Sequence, residues 1–408
     1  MKQRILSAAL TMGVAIAAAQ PAKADIVIDW ADFANRVSNK VDERSPTTVA
    51  ASPQMALAMF EAANAIDHRY QSYLGIPPAP RGASADAAVM AAAHAVLAAC
   101  YPDQKKTIDE NYAVAIEQVP AGPARQAGIM VGEAAAAKAM THGVLDKSIV
   151  QQPYRPVTAP GTWIGAQLPV FDSWFQALQP FAIGRVDALR PPAPPALTSE
   201  RYAKDFDEVK RLGGKESKER TAHQSRMARY RITPDLLPML RRISDLPGRS
   251  TVQNARMFAR VAMTEFDEGL AMVDAKMHYQ FWRPITAIRD ADQDGNDSTS
   301  RDANWVPFIN TPNHPEYPCG HCGYASAMAT VLKAEVGNAP PGGVEVASDS
   351  IPDALLQRLP TFDDWVREVS FSRTLGGVHY RFSNEAAQEL GRQAANKVLA
   401  LMPELKHR

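Results

Sequence analysis

The chain has 408 residues, with 44 basic and 44 acidic side chains, 46% hydrophobic residues and three cysteines. That length can bury a large core, as one big helical domain or two packed bundles. Balanced charge with no lysine-rich run leaves no footprint for nucleic acid or an anionic membrane, and three cysteines make no disulfide scaffold.

Met1–Ala24 reads as a secretory signal. Lys2 and Arg4 form a basic start, Ile5–Ala19 is apolar, and Ala22-Lys23-Ala24 is a small-x-small cleavage site. The apolar run is short for a bilayer span, and no later segment reaches that length. The expectation is an exported, soluble chain, periplasmic or extracellular, cleaved after Ala24. Cleavage removes Lys2, Arg4 and Lys23 and no acid, so 41 bases face 44 acids. Export also permits one disulfide bridge.

Residues 25–150 read as a helical region. Thr47–Ile66 and Ala83–Cys100 carry apolar residues at helical spacing, and Ala124–Thr141 is dominated by alanine. Asn64 and His94 on these faces read as satisfied core or groove residues. Residues 151–198 read as a proline-rich strap, pinned to the surface by Trp163, Phe171, Trp174 and Phe175. Helical patterning resumes in 199–408, including a long segment over Val252–Phe281. Strand signals are sparse. The fold class is therefore all-α: a large helical domain of packed bundles. The run Asp290-Ala-Asp-Gln-Asp-Gly imitates the start of a calcium loop, but position twelve is Arg301 where a glutamate is needed, so it reads as a surface loop.

Three stretches of the C-terminal part carry chemistry. In Lys276–Pro284, Lys276 and Arg283 are seven apart, two helical turns, and Pro284 places the Arg283 guanidinium at a helix end facing open space. In Pro315–Gly323 the prolines hold an extended approach to a helix, so Cys319, Gly320, His321 and Cys322 sit on its first turn, where unpaired N–H groups bind anions. In Ser372–His379, Gly376-Gly377 breaks the pattern, so that Arg373 ends one helix and His379 opens the next. One lysine, two arginines, two histidines and a helix N-terminus make a phosphate-like anion site with acid–base groups, set in the C-terminal bundle.

These stretches resemble the signature of the vanadium-dependent haloperoxidase and type-2 phosphatidic acid phosphatase superfamily. Lys276, Arg283 and Pro284 match its Lys-x6-Arg-Pro; Pro318, Gly320 and His321 match Pro-Ser-Gly-His; Ser372, Arg373, Gly377 and His379 match Ser-Arg-x3-Gly-x-His. The text from Pro192 to about Gly391 resembles the soluble secreted bacterial haloperoxidase-like branch. The resemblance implies that Lys276, Arg283, Cys319, Gly320 and Arg373 bind vanadate or phosphate. It makes His379 the ligand of vanadium or the nucleophile toward phosphorus, and His321 the acid–base partner. A haloperoxidase would take vanadate as cofactor, with peroxide and halide as substrates. A phosphomonoesterase would take a phosphate ester through a phosphohistidine and need no cofactor. A third reading is a catalytically degraded anion-binding protein.

Two positions depart from the signature. Cys319 stands for serine, and a thiol is a weak donor. Ser383 stands for aspartate; four residues after His379, it can orient the imidazole by a hydrogen bond but supplies no negative charge, so His379 should be less basic. Cys319 and Cys322 are one turn apart, close enough for a bridge in an oxidising compartment. Buried free thiols are the alternative. Cys319-Gly-His-Cys322 also resembles a disulfide-isomerase motif, but lacks the strand before it and the βαβ setting. A zinc site from His314, Cys319, His321 and Cys322 would compete with the anion for the same turn.

Overall fold

The computed structural model describes residues 25–41, 45–149, 154–165, 173–232, 234–348, 350–351 and 356–405. The segment read as an export signal and Phe171 lie outside them. The architecture is all-α, with helices packed around a core that runs from Val27 to Met402. The sheet is small: Pro234–Asp235, Val344–Ser348 and Gln357–Leu359 pair antiparallel in that order.

Helices Pro46–Asp67, Ala85–Cys100 and Pro123–Ala139 form the N-terminal pack. Ser45 and Thr48 close a capping box on the first, with proline at its first position, where a missing N–H costs nothing. The alanine content lets these helices approach closely. A Cβ on Gly132 would sit 2.3 Å from the Ala88 carbonyl oxygen, and one on Gly128 would sit 2.4 Å from that of Ser84. Small residues here set the interhelical distance, and each wholly buried large side chain such as Phe60 contributes roughly 2–3 kcal/mol.

The second pack is Thr251–Tyr279, Gly320–Val336, Phe362–Leu375 and Arg381–Leu399. The same device recurs: a Cβ on Gly391 would meet the Gly323 carbonyl oxygen at 2.2 Å. The proline-rich strap crosses this pack. Its Phe181, Ala182 and Ile183 N–H groups all donate to the buried Asp267 carboxylate, at 2.6–3.1 Å. Burial outweighs those three bonds and raises the Asp267 pKa to about 6. Of the strap's own aromatics, Trp163 and Phe181 are buried, while Trp174 and Phe175 are half-buried against the core. Among the described residues no single helix is long and apolar enough to cross a membrane.

Candidate active site

The long helix Thr251–Tyr279 ends because Gln280 adopts the left-handed conformation, with φ 42° and ψ 41°. Lys276 therefore lies in its last turn, while Arg283 caps the next short helix, Pro284–Arg289. The two do not share a helix face, and Arg283 does not point into open space as the spacing suggested. It is 1% exposed. Its Nε donates to the His314 carbonyl at 2.9 Å and its Nη1 to the Val378 carbonyl at 2.8 Å, which draws the guanidinium inward.

Lys276 is likewise buried, and its ammonium donates to the carbonyls of Pro315, Glu316 and Pro318. Those three bonds use all three of its hydrogens. Lys276 thus holds the approach to the next helix in place and brings charge to the site. As the chain is folded here, it offers an oxyanion no hydrogen bond.

That approach delivers Cys319 to the N-cap of Gly320–Val336. Cys319 and Cys322 are joined by a disulfide, with Cα atoms 5.4 Å apart, and both are fully buried. The bridge corrects the reading of Cys319 as a thiol donor: no S–H remains. Its sulfur instead accepts from the Cys322 N–H at 3.3 Å. Helix geometry leaves the N–H groups of Gly320 and His321 without intrahelical acceptors, and these carry the anion-binding capacity of the turn. Bridged sulfurs offer no thiolate pair for zinc, and two fully buried sulfurs offer no face to a redox partner. The calcium-like loop is also internally wired, with Asp294 accepting from Asn296 and Thr299 and with Arg301 paired to Asp292.

Arg373 sits in the last turn of Phe362–Leu375, which closes through Gly377 at φ 77°. Glycine is required there twice over: the conformation is left-handed, and a Cβ would meet the Gly213 carbonyl oxygen at 2.3 Å. Beyond it His379 is 2% exposed and precedes Tyr380, the N-cap of Arg381–Leu399. His379 Nδ1 lies 2.8 Å from Glu316 Oε1, and its Nε2 lies 3.2 Å from Arg283 Nη1. The guanidinium can only donate, so Nε2 offers it its lone pair and the neutral imidazole carries its proton on Nδ1, toward Glu316.

Glu316 is the residue the sequence reading missed, and it displaces Ser383 as the orienting group. Ser383 is fully buried, and its hydroxyl makes no hydrogen bond to the imidazole. It lies near enough to the Glu316 carboxyl to lower that pKa slightly. Geometry explains the substitution: helix Arg381–Leu399 begins after His379, so the two are not successive positions on one helical face. Glu316 Oε1 also accepts the Tyr380 N–H at 3.1 Å. Burial raises its pKa to about 7, against the pull of Arg283 and Lys276. His379 is held well below the usual imidazole value, as expected in direction. The cause is burial and then Arg283, Lys276 and Arg373, rather than want of a carboxylate.

Burial also lowers the cations. Arg283 falls to about 10, Arg373 falls to about 9 and Lys276 is held well below its ordinary value. Arg373 is the least satisfied of them. It has one long bond, 3.4 Å to the Arg231 carbonyl, and its buried Nε has none. His321 is half-buried, with Nε2 2.8 Å from the Ile232 carbonyl, and burial followed by Arg373 pushes its pKa to about 3. His314, considered above only for zinc, stands with Nδ1 3.0 Å from Arg283 Nη2. Its pKa is also held well below normal by burial and the same cations.

Known proteins share this fold. Residues 256–407 match the family described as the VCPO second helical-bundle domain. The chain aligns with a bacterial vanadium-dependent iodoperoxidase at a TM-score of 0.73 and 18% identity, over 93% of this chain and 97% of that one. Residues 256–407 thus resemble that bundle domain, and the chain shares the fold of bacterial vanadium-dependent enzymes. The apo and holo forms of a bacterial vanadium-dependent chloroperoxidase align at TM-scores of 0.66 and 0.65, both at 18% identity. They cover 88% and 87% of this chain, and 94% and 92% of theirs. No curated protein matches the sequence.

The structural neighbours are vanadium-dependent enzymes, and the residues here fit an oxyanion such as vanadate. Burying Lys276, Arg283 and Arg373 near Glu316 and Glu268, whose pKa values burial raises to about 7 and about 8, is costly unless an anion balances them. Arg373 Nε, buried without an acceptor, is the donor such an oxyanion would satisfy.

Proposed function

We propose that the chain is a vanadate-dependent haloperoxidase-like enzyme that oxidises halide with hydrogen peroxide. The observation that carries this reading is Arg373, a buried cation with an unmatched donor and no carboxylate hydrogen-bonded to it. Arg283 and Arg373 would hold the vanadate oxygens, with the N–H groups of Gly320 and His321 and the charge of Lys276 behind them. His379 Nε2 would be the protein ligand, presented because Glu316 takes the Nδ1 proton. When bound, vanadate supplies a Lewis-acidic centre that activates peroxide toward halide. His321 is neutral at pH 7 as the chain stands, and the negative charge of a bound oxyanion would raise its pKa from about 3 and let it carry a proton for the reacting oxygen. Met1–Ala24 supports export of the enzyme, and a buried disulfide suits an oxidising compartment.

The Glu316–His379 pair favours one second reading. A carboxylate on Nδ1 makes Nε2 a better nucleophile, as phosphomonoester hydrolysis needs. Nε2 would form a bond to phosphorus as the ester P–O bond breaks, His321 would give the leaving oxygen its proton, and water would then cleave the phosphohistidine.

Purified protein, with and without orthovanadate, should be given peroxide with bromide or iodide, and separately a phosphomonoester. Vanadate-dependent halide oxidation supports the proposal. Ester hydrolysis that vanadate inhibits favours the second reading, and neither activity would overturn both.

A further inference from the structure

Beside the site lies a second concentration of positive charge that the proposed reaction does not use. A cavity of about 570 Å³ is lined by Lys215, Arg220, Arg226, Arg229, Phe308 and Ile351. Among the described residues no carboxylate lines it, and none pairs with its four cations. The other large cavity, about 670 Å³, mixes Asp364, Glu368 and Glu385 with Arg367 and Arg381, so unmixed charge is not general to the surface.

Two of the cations are pressed together on one aromatic ring. The Arg220 guanidinium lies 3.8 Å from the centre of the Phe308 ring, and that of Arg229 lies 4.9 Å from it. Arg220 is half-buried, and burial followed by repulsion from Arg229 lowers its pKa. Its position is fixed by bonds to the carbonyls of Leu212 and Gly214 and to Ser225 Oγ. Arg226 and Arg229 are exposed and bring unpaired forks to the cavity rim. Guanidinium groups in this state match oxyanions two bonds at a time.

The walls are shared with the active site. Helix Ala222–Tyr230 supplies Ser225, Arg226 and Arg229, and runs into the carbonyls of Arg231 and Ile232, which take bonds from Arg373 and His321. Phe308 donates its N–H to the Gly213 carbonyl, and Ile309 donates to that of Gly376.

We propose that this cavity binds a small organic molecule carrying two or more carboxylate, sulfate or phosphate charges, its oxyanions on Arg226, Arg229 and Lys215 and its carbon frame against Phe308 and Ile351. The volume suits a molecule of that size. Four cations with no lining acid select multiple negative charge. The inference concerns binding and does not depend on the halide chemistry.

The test is calorimetric titration of the full chain with benzene-1,3,5-tricarboxylate, a planar trianion much larger than vanadate. Its neutral trimethyl ester serves as the uncharged control. The expected result is one saturable site for the acid, none for the ester, and weaker binding as salt rises. The double variant Arg226→Gln/Arg229→Gln should weaken binding about thirty-fold, the scale of two partly exposed charge contacts. It should leave vanadate affinity unchanged. Lys105→Gln/Lys106→Gln, on the remote helix Lys105–Ile116, removes equal charge and should leave tricarboxylate binding intact. The proposal is overturned if the native chain shows no saturable binding, even should neutralising Asp349 and Asp353, which flank Ile351 in sequence, create it. It is also overturned if both double variants weaken binding alike. A chain that binds the tricarboxylate but not vanadate would keep this inference and remove the proposed function.

Discussion

Glu61, in the N-terminal pack, and Arg373, in the C-terminal pack, are both almost completely buried. Glu61 accepts the N–H groups of Tyr73 and Leu74 and the Ser72 hydroxyl. Asn64 nearby exchanges both its amide atoms with the backbone of Tyr70. Arg373 has one long hydrogen bond and a donor with none, in the company of two further buried cations. Buried polar groups that serve only the fold are satisfied by the fold. Where a cluster of like charges is left unsatisfied, the folded chain carries a cost that a ligand of opposite charge removes, and this separates the two packs.

The comparison can be broken most sharply at Arg373. Arg373→Ala should weaken vanadate or phosphate binding by roughly 2–4 kcal/mol, the scale for removing one partner of a desolvated charge pair. Calorimetry on the variant checks this, and unchanged affinity would put the anion elsewhere.

Glu268 sharpens it through pH. It is buried, Oε1 has no hydrogen bond, and burial followed by Glu265 raises its pKa from 4.5 to about 8. Between those values the folded chain keeps a proton that the unfolded chain releases, so stability falls as pH rises through the window. Glu268→Gln removes that dependence. The variant should be more stable by roughly 4 kcal/mol at pH 8 and equal to the parent near pH 4. Thermal melts at the two pH values decide it.

A smaller effect separates the two candidate partners of His379. Glu316→Gln should shift the pH profile of turnover, because the Nδ1 proton loses its carboxylate acceptor. Ser383→Ala should leave that profile in place and change stability within about 0.5 kcal/mol, since its hydroxyl makes no bond to the imidazole.

Much of this was legible beforehand, and the reason differs by residue. Helices such as Pro46–Asp67 and Gly320–Val336 follow from spacing and proline placement, which act locally. Arg283, Arg373, His321 and His379 stood out because charged and titratable groups clustered beside glycine and proline. Glu316 did not, because its partner His379 lies sixty-three positions on and a lone acid between prolines carries no local pattern. The same holds for Lys276, whose three bonds to carbonyls depend on how the Pro315–Pro318 segment folds back. Asp267, which pins the strap, reads in sequence as one more helix position. Two- to five-residue strands carry too little alternation to register.

The central claim is that the buried cations of the C-terminal pack await an oxyanion. Titrating the native chain with orthovanadate at pH 7, in two buffers of different ionisation enthalpy, tests it directly. The account predicts one site per chain with net uptake of protons, because a bound oxyanion raises the depressed pKa values of His321 and His314. Saturable binding without proton uptake, or no binding at all, would contradict it.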